Sequence, residues 1–381
     1  MRARLLPFVA VLFVAGSPAR PATSSGGPQR GAPAIQSMSR LAFAPDGILL
    51  IGDSTAAAVW AVDVGDRAPN AARQELKVDN LDAKIGALLG TTRDEVLVHD
   101  MAVNPLSQNV YLSVSRGLQQ THRLLPVPND AADARILLRV AAGGEISEVP
   151  LQDVTWSRAA IPNPPKPDAK LWEFKSRSFA VTDLAYDEGK VYVAGLSNEE
   201  FASTFRALPY PFDGRQSATT VEVYHAAHGK YETEAPIETF LPFRLRGRPH
   251  LLASYTCTPL AVFPMDVLKD RAHVRGTTVA EFGSGNMPLD MVAYESKGKP
   301  YILLANSSRA VMRIDPADIE RQAQGLTEPV DRWATAGIPF VALPVVGVQQ
   351  LDRLNEGYLL LLRRSLRDGA LGLTSVSVDI L

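Results

Sequence analysis

The 381-residue chain has a single cysteine, Cys257. One thiol closes no intrachain disulfide, supplies no CxxCH haem attachment and builds no multi-cysteine zinc site, so stability must come from a packed core. Long apolar runs are missing too. The stretch from Leu5 to Ala15 is too short to span a bilayer and nothing later is long enough, so no membrane insertion is expected. Runs of like charge are also absent: 39 Lys and Arg against 41 Asp and Glu give a formal charge of −2, mixed along the chain. That leaves no electrostatic footprint for nucleic acid. Helical periodicity is almost wanting, which points to an all-β chain, expected to act as a monomer.

What is present begins with an address. MRARLLPFVAVLFVAGSPAR has two arginines, an apolar run and small residues at Ser17 and Ala19, the order of a secretory signal peptide over residues 1–19, with cleavage after Ala19 or Ala22. Removing Arg2 and Arg4 takes the formal charge to −4. The mature protein is expected to be exported, to the periplasm or the extracellular space. Residues 20–36, rich in Gly, Pro and Ser, read as an extended leader, followed by one domain over 37–381.

That domain repeats. SRLAFAPDGILLIGDST (39–55), HDMAVNPLSQNVYLSVS (99–115), TDLAYDEGKVYVAGLSN (182–198) and LDMVAYESKGKPYILLANSS (289–308) each carry a strand, a turn and a second β-rich strand. Weaker copies start near 239 and 348. Third strands are expected at 59–63, 136–140, 221–225, 262–266 and 311–315, and outer strands at 74–78, 145–150 and 278–282. Six hairpin units predict a six-bladed β-propeller, with a seventh blade in 116–180 as the alternative. The last unit has three strands before Leu381, and the N-terminal segment near 30–38 is the expected source of its fourth. Through LAFAPDGILLIGDS and DMAVNPLSQNVYLSVS the chain resembles the secreted propellers of the NHL and YVTN kind, a likeness of fold.

If strand one of each blade enters at the upper face, that face collects His99, Asp100, Thr182, Asp183 and Asp290 from strand-one starts. Ser54, Ser115, Asn198, Cys257 and Asn306 join them from strand-two ends. Segments 116–135, 153–178 and 198–219 read as insertions walling this face, with Trp156, Trp172, Phe201, Phe205 and Arg206 among their side chains. The three aspartates suit either of two tasks. They can lock the blades through backbone N–H bonds, or they can form a cation site with Asn306 or Asn198. Cys257 reads as a small packed residue, with a metal, redox or nucleophilic role as the alternatives. Ser54 reads as a turn residue. His225 and His228 fall in a turn expected on the lower face, and His122 lies in an insertion.

Three functions follow. The first is a binding module holding a small ligand, a carbohydrate, a peptide or a partner protein at the upper face. The second is a calcium-dependent hydrolase similar to the gluconolactonase and paraoxonase propellers, whose resemblance implies axial metal ligands at Asp100, Asp183 and Asn306; Ser39-Arg40 departs from it where a glutamate is required. The third is a copper or electron-transfer accessory using His99 and Cys257.

Overall fold

The computed structural model describes residues 27–116, 135–322 and 324–381. The expected signal peptide, the first part of the leader, and most of 116–135 with His122 lie outside the described residues. No helix among the described residues is long and apolar enough to cross a membrane.

Six sheets form the blades of a propeller, antiparallel except where His273–Arg275 joins the edge of one in parallel, beside Thr220–Glu222. Their innermost strands are Arg40–Phe43, Val96–Val103, Asp183–Asp187, Ile237–Leu245, Pro288–Ser296 and Val348–Asn355, named here blades I to VI in chain order. The expected unit starts agree with these, and no seventh blade exists among the described residues. Second strands are buried on both faces because each lies between two neighbouring blades; all six residues of Ile48–Asp53 are buried. The first hairpins turn through glycines that supply positive φ, such as Gly47 at +79° and Gly189 at +78°.

The ring does not follow chain order. Blade I lies between blades II and III, and blade II lies between blades I and VI. Six apolar clusters show the same arrangement, one at each junction. Val59 and Ala61 of blade I pack with Val191 and Val193 of blade III. Trp60 packs with Tyr111 and Leu137 of blade II, and Val98, Leu112 and Leu138 of blade II pack with Leu360 and Leu373 of blade VI.

This order depends on an exchange of outer strands. After its third strand, Ala58–Asp63, the chain leaves blade I unfinished and runs beneath blade II to blade VI, where Lys77–Val78 pairs with Leu373 and Thr374. It then forms the helix Leu81–Leu89 and blade II, and returns to complete blade I with Val154–Ala160 against Ala58–Asp63. Ring closure therefore differs from expectation: the fourth strand of blade VI is Lys77–Val78. The N-terminal strand Gln29–Gly31 instead adds to the outside of blade I, along Val154–Trp156. The expected outer strand at 74–78 exists but belongs to blade VI.

Two expected insertions prove to be blade. Ser203–Pro209, within 198–219, is the third strand of blade III, and Ser217–His225 is its fourth, not its third. Since strands alternate direction, His225 and His228 come out on the upper face instead of the lower. Within 153–178, Val154–Ala160 is the outer strand of blade I; only the short hairpin Lys170–Leu171 and Phe174–Lys175 remains as an upper-face element. The outer strands expected at 145–150 and 278–282 appear as Ile146–Glu148 and Thr277–Glu281.

Candidate functional site

Four innermost strands carry a β-bulge at the same height, between Val98 and Asp100, Ile237 and Thr239, Pro288 and Asp290, and Val348 and Gln350. A bulge re-aims side chains. Here it brings polar residues from several blades to the upper mouth of the central channel, around a cavity of about 400 Å³ lined by Arg40, His99, Asp100, Asp183, Glu238, Asp290 and Gln350, among others. Asp100, Asp183 and Asp290 also line the lower cavity, so they mark the level at which the two meet.

Each of these aspartates ties its blade to the next. Asp183 accepts from its neighbour Leu184 N–H at 2.8 Å and from Phe240 N–H of blade IV at 2.8 Å. Asp290 accepts from Met291 and, across to blade VI, from Leu351, both at 2.7 Å. Asp100 accepts from Leu41 N–H of blade I at 2.6 Å and from Gln350 Nε2 of blade VI at 2.9 Å. One turn lower, Asp352 does the same for Val103 N–H of blade II at 2.7 Å. Blade I has Arg40 at this level. Its guanidinium donates to Thr182 O and to Ser39 O, the latter at 2.9 Å, and its charge reaches Asp100, Asp183 and Glu238.

The carboxyls sit deep in the protein, Glu238 buried and the three aspartates partly so. Burial pushes Asp100 up to about 7 and Asp183 up to about 6, against the pull of Arg40, and raises Asp290 and Glu238 as well. Burial, with Arg40 adding to it, drives His99 down to about 3, so its ring is neutral at pH 7. His99 Nε2 meets Ser115 Oγ at 2.7 Å, while His99 Nδ1 and Gln350 Oε1 have no hydrogen-bond partner. Glu238 Oε1 accepts from Thr256 Oγ1 at 2.7 Å. Inward of the Asp82, Asp94, Arg93 and Arg364 groups that also line the cavity, the mouth combines four acidic groups and the Arg40 guanidinium with a Gln350 Oε1 that has no partner.

The donor set does not fit calcium. The oxygens of Asp100, Asp183 and Asp290 already accept backbone and amide N–H bonds, a guanidinium stands among them, and Asn306 is elsewhere. Asn306 is buried at the end of the second strand of blade V, bonded to Asn286 Nδ2 and Leu304 O at 3.2 Å each. Asn198 is exposed on an outer loop, its N–H on Asn163 O at 2.8 Å. Phe205 and Arg206, expected in a wall, are 3% and 1% exposed within blade III, where Phe205 stacks on Tyr192 at 5.5 Å. Trp156 packs edge-on against Trp60 at 5.2 Å on the outer rim of blade I, away from the mouth.

Cys257 is not a strand residue. It occupies the left-handed region at φ +64° in a turn closed by Thr258 N–H on Tyr255 O at 2.8 Å. It lines an upper-face groove of about 370 Å³ with Trp172, Tyr231, His225, His228, Glu232 and Thr256. His99 lines a different cavity, so the structure does not pair these two residues. Burial raises the Cys257 thiol, which keeps it protonated. Ser54 bonds Val181 O and Ser39 Oγ at 3.1 Å each, as a turn residue does.

Sequence reasoning misses Glu238, because the pattern places the start of the fourth unit at Thr239, one residue later, and Gln350, whose place in VQQLD matches the His99-Asp100 column. No family model matches the chain, and no curated protein matches it. Among solved structures it is similar to the Cps50 (Swd1) β-propeller domain of Myceliophteria thermophila, at 12% identity and TM-score 0.36, over 89% of this chain and 82% of that one. It is likewise similar to the PQQ-bound aldose sugar dehydrogenase of Streptomyces coelicolor, at 11% identity and TM-score 0.33, over 94% and 99%. A third is hydrazine synthase of Kuenenia stuttgartiensis, at 12% identity and TM-score 0.29, over 91% and 98%. None of these likenesses transfers a function.

Proposed function

We propose that this propeller is an exported binding scaffold whose upper channel mouth holds a small, positively charged, hydrogen-bond-donating ligand, such as an organic amine or the basic side chain of a peptide. The observation that carries the reading is the imbalance at the mouth: six acidic residues line the cavity against Arg40, Arg93 and Arg364, and because Arg93 pairs with Asp82 and Asp94 and Arg364 approaches Asp82, Asp100, Asp183, Glu238 and Asp290 are left with Arg40. Gln350 Oε1 offers a further unpaired acceptor there, and His99 Nδ1 a second one in the tautomer whose Nε2–H donates to Ser115 Oγ. A cation entering would favour the ionised carboxylates and recover part of their desolvation cost. Carbohydrate is less suited, since among the described residues the mouth has no Trp, Tyr or Phe on which a sugar ring could stack. Asp82 at the outer lip is matched by Arg93 at 3.2 Å and takes no part in the imbalance.

Calorimetric titration with putrescine and agmatine, against glycerol and glucose as uncharged controls, tests this. The amines are expected to bind more tightly as pH rises from 5.5 to 7.5, and Glu238→Gln is expected to weaken them about tenfold. Equal binding of amines and polyols, or no response to Glu238→Gln, contradicts the reading.

A further inference from the structure

The hairpin at the top of blade III gathers three metal-ligating side chains. Strand Ser217–His225 ends at His225, the turn passes His228 and Gly229 at φ +64°, and Lys230–Glu232 returns with Glu232 opposite Val223. The Glu232 carboxylate lies between the two imidazoles, with Oε2 3.0 Å from His225 Nδ1 and Oε1 2.7 Å from His228 Nδ1. The ring centroids are 3.8 Å apart. Ligand atoms from all three residues lie within 4.8 Å of one another, close to the span of a coordination sphere with bonds of about 2.0–2.2 Å.

A second observation points the same way. His225 is 1% exposed, yet its Nε2 has no hydrogen-bond partner and faces Glu281 Oε2 at 3.7 Å. Glu281 is fully buried, and its Oε1 is also without a partner. Glu281 Oε2 also accepts from Ala227 N–H at 3.4 Å, but a buried imidazole nitrogen and a buried carboxylate oxygen that lack partners are costly in a purely structural role. The cost is explained if Nδ1 binds a cation. The ring proton then resides on Nε2, directed at Glu281, the arrangement by which a carboxylate orients a metal-bound histidine. On the other side the cluster opens to the groove containing Trp172, Tyr231 and Cys257.

We infer that His225, His228 and Glu232 bind a divalent transition-metal ion of the zinc class, with Glu281 orienting His225 and a coordination position open to the groove. Two imidazoles and one carboxylate are a donor set for such ions, whereas calcium needs six to eight oxygens. The site is separate from the channel mouth, which shares none of its ligands.

The test uses the full mature chain without a histidine tag, stripped with chelator and titrated with zinc by calorimetry, with metal content measured after dialysis. One retained equivalent is expected. His228→Ala and Glu232→Gln should each weaken binding at least about a hundredfold, Glu281→Gln about ten- to a hundredfold, and His250→Ala not at all. Because His228 is partly exposed, its alanine variant is expected to melt like the metal-free parent, which separates lost ligation from lost fold. No zinc retained by the parent protein, or an equivalent that persists in both His228→Ala and Glu232→Gln, overturns the inference.

Discussion

The Asp66 carboxylate accepts the Tyr111 phenol at 2.9 Å, joining the strand that leaves blade I to the second strand of blade II. The same Oδ2 accepts Ser107 Oγ at 2.7 Å and Asn109 Nδ2 at 2.9 Å, while Asp66 O takes Asn104 Nδ2 at 2.7 Å. These bonds bind the crossing segment beneath blade II. Further on, Asn355 Nδ2 donates to Gln74 O at 3.1 Å and delivers the segment to blade VI.

Asp66→Ala should therefore cost about 2–4 kcal/mol, since it strands three donors around a nearly buried oxygen. Urea unfolding reads this as a lower midpoint with an unchanged slope. A loss below about 0.5 kcal/mol would mean that other contacts fix the crossing.

Ring closure by Lys77–Val78 predicts a contrast between two alterations. Val78 is 1% exposed within the cluster between blades II and VI, so Val78→Ala should cost about 2 kcal/mol. Starting the chain at Ala34 removes Gln29–Gly31 and the Arg30–Asp153 pair, both highly exposed, and should move the melting temperature by no more than about a degree. The reverse ranking would restore closure to the N-terminus.

Stability should rise on mild acidification. Asp100 stands near 7, and Asp183 and Asp352 near 6, all through burial, so between the ordinary carboxyl range and those values the folded chain holds protons that the unfolded chain has lost. Raising pH through that window costs stability. His99, pushed by burial to about 3, works oppositely: its contribution is full above 6.5 and fades as pH falls toward 3. Three groups against one give a higher melting temperature at pH 5.5 than at 7.5. Calorimetric scans showing the opposite slope would mean that these carboxyls are ionised in the folded protein.

Gly195→Ala should be among the most damaging small substitutions, since its β-carbon would meet Ala180 O at 2.2 Å. Loss of soluble protein, or a cost above about 3 kcal/mol, is the expected outcome. A variant that melts like the parent would show that the 180–182 segment can yield.

Much of this architecture could be read in the sequence because each unit repeats a strand, a turn and a second strand. The column of Asp100, Asp183 and Asp290 came with it. The exchange of outer strands was hidden for a physical reason: a two-residue strand such as Lys77–Val78 records nothing of which edge it completes. Direction was lost through one miscount. Reading Ser203–Pro209 as insertion reversed Ser217–His225 and sent His225 and His228 to the wrong face. Cys257 looked like a strand residue because nothing in TCT marks a left-handed turn, a conformation usually signalled by glycine or asparagine.

Leu76 and Ser375, bonded to each other at 2.9 Å, lie 299 residues apart in the chain. During synthesis the segment that closes blade VI emerges 299 residues before the strand it must pair with. Blade I also stays open until Val154–Ala160 arrives. Early intermediates thus expose two unpaired strand edges, and the rate-limiting step should be a late, long-range docking and not the formation of any single blade. A chain interrupted near its C-terminus would leave the first-made part as unfinished as the last.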